Sequence, residues 1–269
     1  MSTLLIIAIA AAALGLLFAG TYGLARRMEN YGIVDIVWSY AFGALALFYA
    51  ATLPGWAPRS WLMAAIVVLW SARLGTHLYR RVMSHHPEED RRYTEMRTRW
   101  SENFAAKMFT FFQQQAVSVL LLGLPFLLIA RNPAPTLHIL EYIAVALWLF
   151  ALAGESLADA QLAAFKRDPA NKGKVCETGL WAVSRHPNYF FESLIWWSYF
   201  LFACASPWGW TSLIAPLGIT YLLLRVTGVP MAEEQSLRSR GDAFRDYQKR
   251  VSVFVPWFPK KKKSASSVS

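Results

Sequence analysis

The residues best equipped for chemistry gather in one stretch, ESLADAQLAAFKRDPANKGKVCETGLWAVSRHPNYFFE, from Glu155 to Glu192. Glu155 and Asp159 stand four residues apart, so on a helix they share one face. Carboxylates at the end of an apolar run are costly unless they have partners. Two readings stay open: ion pairing with Lys166, Arg167 or Arg225, or a polar pocket whose carboxylates accept hydrogen bonds from a ribose, an amide or a cationic ligand. Within SRHPNYFFES, Pro187 breaks regular helix and biases His186 toward extended backbone, so a turn should precede the next helix. Helix N-termini and nearby arginines bind anions, which suits Arg185, His186 and Asn188 to a cofactor bearing phosphate or adenosine. Tyr189 could stack on a ring or anchor at the membrane interface. Glu192 follows Asn188 by one turn on the same face, and an acid inside an apolar segment is a functional candidate by default. A plain N-cap with interfacial anchors would explain Asn188 and Tyr189 but not Arg185, His186 and Glu192.

A second polar cluster starts at Arg225 and continues through GVPMAEEQSLRSRGDAFRDYQKRVSVFVPWFP. Its Glu233, Glu234, Arg245, Asp246, Tyr247 and Arg250 are compatible with a helix, and a solvated amphipathic helix on the membrane surface accounts for most of them. Arg73 and Arg225 sit near the ends of apolar runs, where snorkelling competes with a binding role. The adjacent His85 and His86 read as solvated and not as a metal pair, and Cys176 and Cys204 have no metal-ligand spacing. No metal site is assigned.

These groups need elements to position them, and the composition says which. Of 269 residues, 55% are hydrophobic and 15% aromatic, too apolar for an ordinary soluble domain, while 27 Lys and Arg against 17 Asp and Glu make the chain basic. Runs near the about 20 residues that span a bilayer fall at about 3 to 23, 33 to 53, 60 to 79, 116 to 130, 137 to 156, 190 to 205 and 210 to 229. The fold class expected is all-α, a polytopic membrane bundle of about seven helices. The fourth run is short and preceded by FFQQQ, which leaves open a start inside that aromatic segment. The first run reads as a retained span and not a cleaved signal. Loops after the odd runs hold 23 Lys and Arg and those after the even runs only Arg59 and Arg131. That bias expects the N-terminus outside and the C-terminus in the cytoplasm. The basic excess therefore belongs to topology, with no nucleic-acid module. A single domain is expected over 1 to 258, its cofactor half at about 137 to 258, followed by a basic, disordered tail from 259 to 269. There Pro259 to Lys263, PKKKK, reads as a contact with anionic headgroups. Membrane lipids and a lipophilic small molecule are the partners expected.

GLWAVSRHPNYFFE resembles the cofactor-site signature of the steroid 5-alpha-reductase and sterol C14-reductase group. The whole chain most resembles the bacterial DUF1295 branch of that superfamily, through IVDIVW at Ile33 to Trp38, LWSARL at Leu69 to Leu74, RHPNY, TGVPMAEEQ and YQKRVSVFVPWFPK. The resemblance implies an integral protein of the bacterial inner membrane that binds NADPH on its cytoplasmic side and reduces a polarised carbon–carbon double bond in a lipophilic substrate. It implies cofactor contacts at Asp159, Asn188, Glu192 and Arg225, with Arg185, Tyr189 and Tyr247 beside them. Glu155 falls where the steroid reductases have a polar cofactor contact of another residue type. The Glu and Tyr that steroid reductases use on the substrate correspond to Asp35 and Trp70. Asp35 is the candidate acid, provided burial keeps it protonated, and an ion pair with Arg73 is its other reading. Trp70 cannot act as a phenol, which puts steroid as substrate in doubt.

Isoprenylcysteine carboxyl methyltransferases, which use S-adenosylmethionine, share the architecture, an RHP.Y turn and a C-terminal EE segment. Arg185, His186, Pro187, Tyr189, Glu233 and Glu234 fit that pattern too. Asn188, Glu192 and the tail YQKRVSVFVPWFP favour the reductase. A non-catalytic lipid- or cofactor-binding membrane protein is the third class.

Overall fold

The structure, a computed structural model, describes residues 1–260, so most of the basic tail lies outside the described residues. Among the described residues, ten α-helices run in the order α1 Thr3–Met28, α2 Ile33–Thr52, α3 Ala57–His85, α4 Arg91–Arg99, α5 Phe104–Leu122, α6 Leu124–Ala130, α7 Ile139–Arg167, α8 Pro187–Ala203, α9 Ile214–Tyr221 and α10 Val229–Arg250. No strand occurs among the described residues. The protein is an all-helical, polytopic membrane bundle.

Among the described residues, six helical segments are long and apolar enough to cross a bilayer: Thr3–Met28, Ile33–Thr52, Ala57–His85, Phe104–Ala130, Ile139–Arg167 and Gly209–Arg250. The fourth begins well before residue 116, inside the aromatic segment, with Pro125 in the first turn of α6 marking the break from α5. The sixth of the seven expected runs is α8, whose 17 residues span roughly 26 Å, short of the usual hydrocarbon thickness. The last segment is 42 residues long, about twice a span. Its apolar part is the 3-10 turn Gly209–Leu213, α9 and a π-helical stretch, Leu222–Val226. Past Gly228 and Pro230, α10 is polar and lies beyond the span.

Helix ends follow local chemistry. Ser2 caps α1 by accepting from Leu5 N at 3.3 Å, and Arg26 and Arg27 complement its C-terminal dipole. On α1 only a stripe at three- and four-residue spacing, Ile6, Ala10, Leu14, Phe18, Thr21 and Ala25, is buried, while Leu4 and Leu16 stay about 80% and 76% exposed. Such a surface suits hydrocarbon and not water. Asp90 caps α4. Gly241 interrupts α10 at φ +50, a left-handed value that a side chain would resist.

The chain forms two compact units, one of Met1–Glu141 with Phe202–Ala215, the other of Tyr142–Leu201 with Pro216 onward. In the first, α2 packs closely on α3, where Ser71 Oγ donates to Ser39 O at 2.7 Å and accepts from Gly43 N at 3.3 Å. Small residues with interhelical hydrogen bonds are the usual means of close approach in a membrane. The same unit buries an ion pair, Arg59 on Glu141, 1% and 0% exposed.

Candidate functional site

In the second unit α7 and α8 run antiparallel with their faces in contact. Trp148 Nε1 donates to Tyr199 Oη at 3.2 Å at one end of the seam. Gly154 makes room for the Phe191 ring, whose nearest atoms would lie 2.4 Å from an added Cβ. At the other end Asn188 Nδ2 donates to Asp159 Oδ1 at 3.3 Å. Between these contacts lie Glu155, 4% exposed, and Glu192, 9% exposed, whose Oε1 accepts from Trp196 Nε1 at 3.0 Å. The structure thus brings Asp159 and Asn188 together, with one buried carboxylate a turn away on each helix.

Asn188 Oδ1 is buried and accepts no hydrogen bond among the described residues. Turning the amide over would set its oxygen against the Asp159 carboxylate, so the pair itself fixes the orientation. A buried acceptor without a donor is uncommon and costly, on the order of 1–3 kcal/mol. It is the kind of vacancy that a ligand N–H or O–H fills.

α8 starts at Pro187, as the turn-then-helix reading expects. The turn before it is held from several sides. Arg185 Nε donates to Glu233 Oε1 at 2.6 Å, and its Nη1 donates to the carbonyls of Gln248 and Val251 at 2.9 and 2.7 Å. His186 Nε2 lies 3.3 Å from the same Glu233 oxygen, and its ring stacks on Tyr189 at 5.4 Å. Gln248 Nε2 donates to Glu233 Oε2 at 2.8 Å. Burial would raise the Glu233 carboxyl, but the hydrogen bonds from His186 and Arg185 and the guanidinium charge outweigh it and hold the group down at about 2. Tyr247, 2% exposed, donates its hydroxyl to the carbonyls of Trp181 and Ser184. Arg185, His186 and Tyr247 therefore frame the turn from within. Arg225 is exposed on the π-helical stretch, an irregularity common at functional sites.

In the first unit Asp35 takes different partners from those expected. Its Oδ2 accepts from Arg92 Nη2 at 2.5 Å and its Oδ1 from Tyr93 Oη at 2.9 Å, so Arg73 is not its counter-ion. The side chain is 24% exposed and accepts on both of its oxygens. Arg92 also binds Asp90, which Arg81 reaches at 2.6 Å. Burial would raise Asp90, but the Arg92 charge and hydrogen bonds keep it below the usual carboxylate range. Tyr93 is pushed well above the usual phenol range, by burial first and by the Asp35 charge second. Trp70 is fully buried and tilted on Phe42, ring centres 5.7 Å apart. No group of three or more potential metal ligands occurs among the described residues.

Sequence reasoning missed two of these features. The Glu233 tie to Arg185 and His186 joins residues nearly fifty positions apart, for which no local spacing exists. The bond from Trp196 to Glu192 had a signal, the i, i+4 spacing itself.

The fold and the seam define a polytopic helical membrane protein with a polar pair set into one end of two packed helices. The family described as "Protein of unknown function (DUF1295)" matches residues 21–251, and the chain belongs to that family. A Schizosaccharomyces pombe protein described as uncharacterized is 28% identical over 263 residues, covering 87% of this chain and 75% of that protein. No solved structure matches.

Proposed function

We propose that this protein is a membrane-embedded, NADPH-dependent reductase of a polarised carbon–carbon double bond in a lipophilic substrate, working in a bacterial inner membrane with its cofactor side toward the cytoplasm. The observation that carries this reading is the buried acceptor Asn188 Oδ1, paired through its own amide with Asp159. A carboxamide or a ribose hydroxyl supplies the donor that this oxygen lacks. Asp159, Glu155 and Glu192 suit ribose hydroxyls, and the exposed Arg225 suits a phosphate. The residues present fit NADPH in that sense.

When bound, NADPH supplies a hydride for the β-carbon of the substrate. The α7–α8 seam orients the nucleotide, and its apolar flanks exclude water. The bracing of Ser184, Arg185 and His186 by α10 holds the start of α8 in register, which is what positioning requires. Asp35 is the candidate acid of this reading, its carboxyl held by Tyr93 and Arg92.

S-adenosylmethionine-dependent methyl transfer to a lipophilic acceptor is the second reading. It is favoured by the Glu233 contacts, which join the RHP turn to the EE segment. Thermal unfolding in mild detergent with NADPH, NADH and S-adenosylmethionine separates the two, because a ligand of the folded state raises stability by mass action. NADPH should raise the midpoint most. Stabilisation by S-adenosylmethionine alone overturns the reductase, and no response to any of the three leaves a non-catalytic binding protein.

A further inference from the structure

The turn between α1 and α2, in the first unit, buries a carboxamide of its own. Asn30 is 1% exposed, and Tyr31, Ile33 and Val34 after it are buried as well. Its Oδ1 accepts from Gly32 N at 3.0 Å, which fixes the orientation of the amide, since turning it over would set NH2 against N–H. Its Nδ2 is buried and donates to nothing among the described residues. A Cβ on Gly32 would stand 3.0 Å from Asn30 Oδ1, 3.6 Å from Val82 Cγ2 and 3.8 Å from Tyr93 Cε2, so Asn30 and Tyr93 flank the same glycine. Tyr93 Oη in turn donates to Asp35 Oδ1 at 2.9 Å. The segment that carries Tyr93 covers this end of α2. Glu89 Oε1 accepts from Tyr31 N at 2.7 Å, and the Arg97 guanidinium lies 5.3 Å from the centre of the Tyr31 ring.

A buried donor without an acceptor is rare in a folded protein and asks for a partner. The carboxylates around Asn30 take their hydrogen bonds from other donors: Glu89 from Tyr31 N and Arg97, Asp35 from Arg92 and Tyr93. Those two acids and two arginines already balance in charge, so the partner that suits Asn30 is a neutral acceptor and not an anion. The amide stands at the head of a membrane-spanning helix among buried apolar side chains, so that acceptor suits a lipophilic molecule. We infer that Asn30 Nδ2 donates to the carbonyl oxygen of a lipophilic ketone, the carbonyl that polarises the double bond of the substrate. The choice of a ketone rests on the reductase reading. A hydrogen bond to that oxygen draws electron density from the conjugated β-carbon and stabilises charge that develops on the oxygen. Asn30 then serves the same polar end of the ligand as the candidate acid Asp35.

The test measures equilibrium binding of two radiolabelled probes to the full chain in detergent, with protein-free micelles as the blank and no nucleotide present. One probe is a long-chain α,β-unsaturated methyl ketone, the other the matching alkene with CH2 in place of the carbonyl. The parent should bind the ketone about tenfold more tightly than the alkene. Asn30→Leu should bind the two alike. Asn30→Asp, which keeps an acceptor for Gly32 N and loses the amide donor, should lose the preference too, so the loss does not come from the turn. A third reading needs the parent alone: the infrared stretch of the ketone, labelled with carbon-13 at the carbonyl, should fall on binding below its value in micelles. Equal affinities of the parent for the two probes overturn the proposal, as does a preference that survives in both variants. An unshifted stretch also overturns it and assigns the amide to a buried water. Because nucleotide is absent throughout, failure of NADPH binding at the α7–α8 seam and failure of ketone recognition at Asn30 are separate results.

Discussion

Two regions bury polar groups at the margins of the apolar layer, and they do so in opposite ways. In the first unit Arg59 Nε donates to Glu141 at 2.5 Å and Nη1 to the carbonyls of Asn132 and Ala134 at 3.2 and 2.6 Å. Its Nη2 reaches Thr136 O at 2.5 Å and Glu141 Oε2 at 3.3 Å, an oxygen that also accepts from His138 N at 2.6 Å. Donors and acceptors there are matched within the protein, and the cluster stitches the 132–138 loop to α3 and α7. In the second unit Asn188 gives one hydrogen bond and keeps a buried acceptor without one. A satisfied network stabilises its surroundings and has nothing left to offer a ligand, whereas an unsatisfied group costs stability until something binds. Burial of polar residues is common to both regions, and the state of their hydrogen bonds is what distinguishes the clasp from the candidate site.

The largest effect should come from the clasp. Arg59→Met leaves Glu141 buried without its counter-charge and should cost about 3–5 kcal/mol, seen as a lower unfolding midpoint in detergent with nucleotide response retained. If that variant lost nucleotide binding while keeping its midpoint, the contrast between the regions would collapse. Asp35→Asn removes the charge opposite Arg92 in a partly exposed pair, so a smaller loss, about 1–2 kcal/mol, is expected from the same measurement. Next comes the Glu233 tie. Its carboxyl ordinarily ionises near 4.5 and is held at about 2 in the fold. A depressed value means that ionised Glu233 stabilises the fold above about pH 4.5, and the contribution is lost as pH falls toward 2. The gap in unfolding midpoint between parent and Glu233→Gln should therefore be widest near neutrality and narrow below pH 4.5. The smallest effect on stability, within about 1 kcal/mol of the parent, is expected for Asn188→Ala, since removing the amide also removes its unsatisfied oxygen.

Much of this architecture could be read in advance, for physical reasons that differ by residue. Apolar runs report spans because a bilayer demands them, and Pro187 reports the start of α8 because it cannot sit deeper in a helix. Asn188 and Glu192 stood out because four residues make one turn. Arg59 did not: in the sequence it is one basic residue of a loop, and only the folded path of residues 132–141 encloses it. Asp35 with Arg92, and Arg185 with Glu233, are pairings across long loops, which local periodicity does not encode. The 17-residue α8 shows the same limit, since its polar first turn shortens the span that hydropathy had placed at 190 to 205.

The most direct measurement of the central claim is an equilibrium titration of NADPH into detergent-purified parent and Asn188→Ala proteins, followed by nicotinamide fluorescence. The account predicts saturable binding to the parent and at least about tenfold weaker binding to Asn188→Ala, the two proteins unfolding at similar midpoints. Equal affinity in the two would contradict it and place the nucleotide site away from the α7–α8 seam.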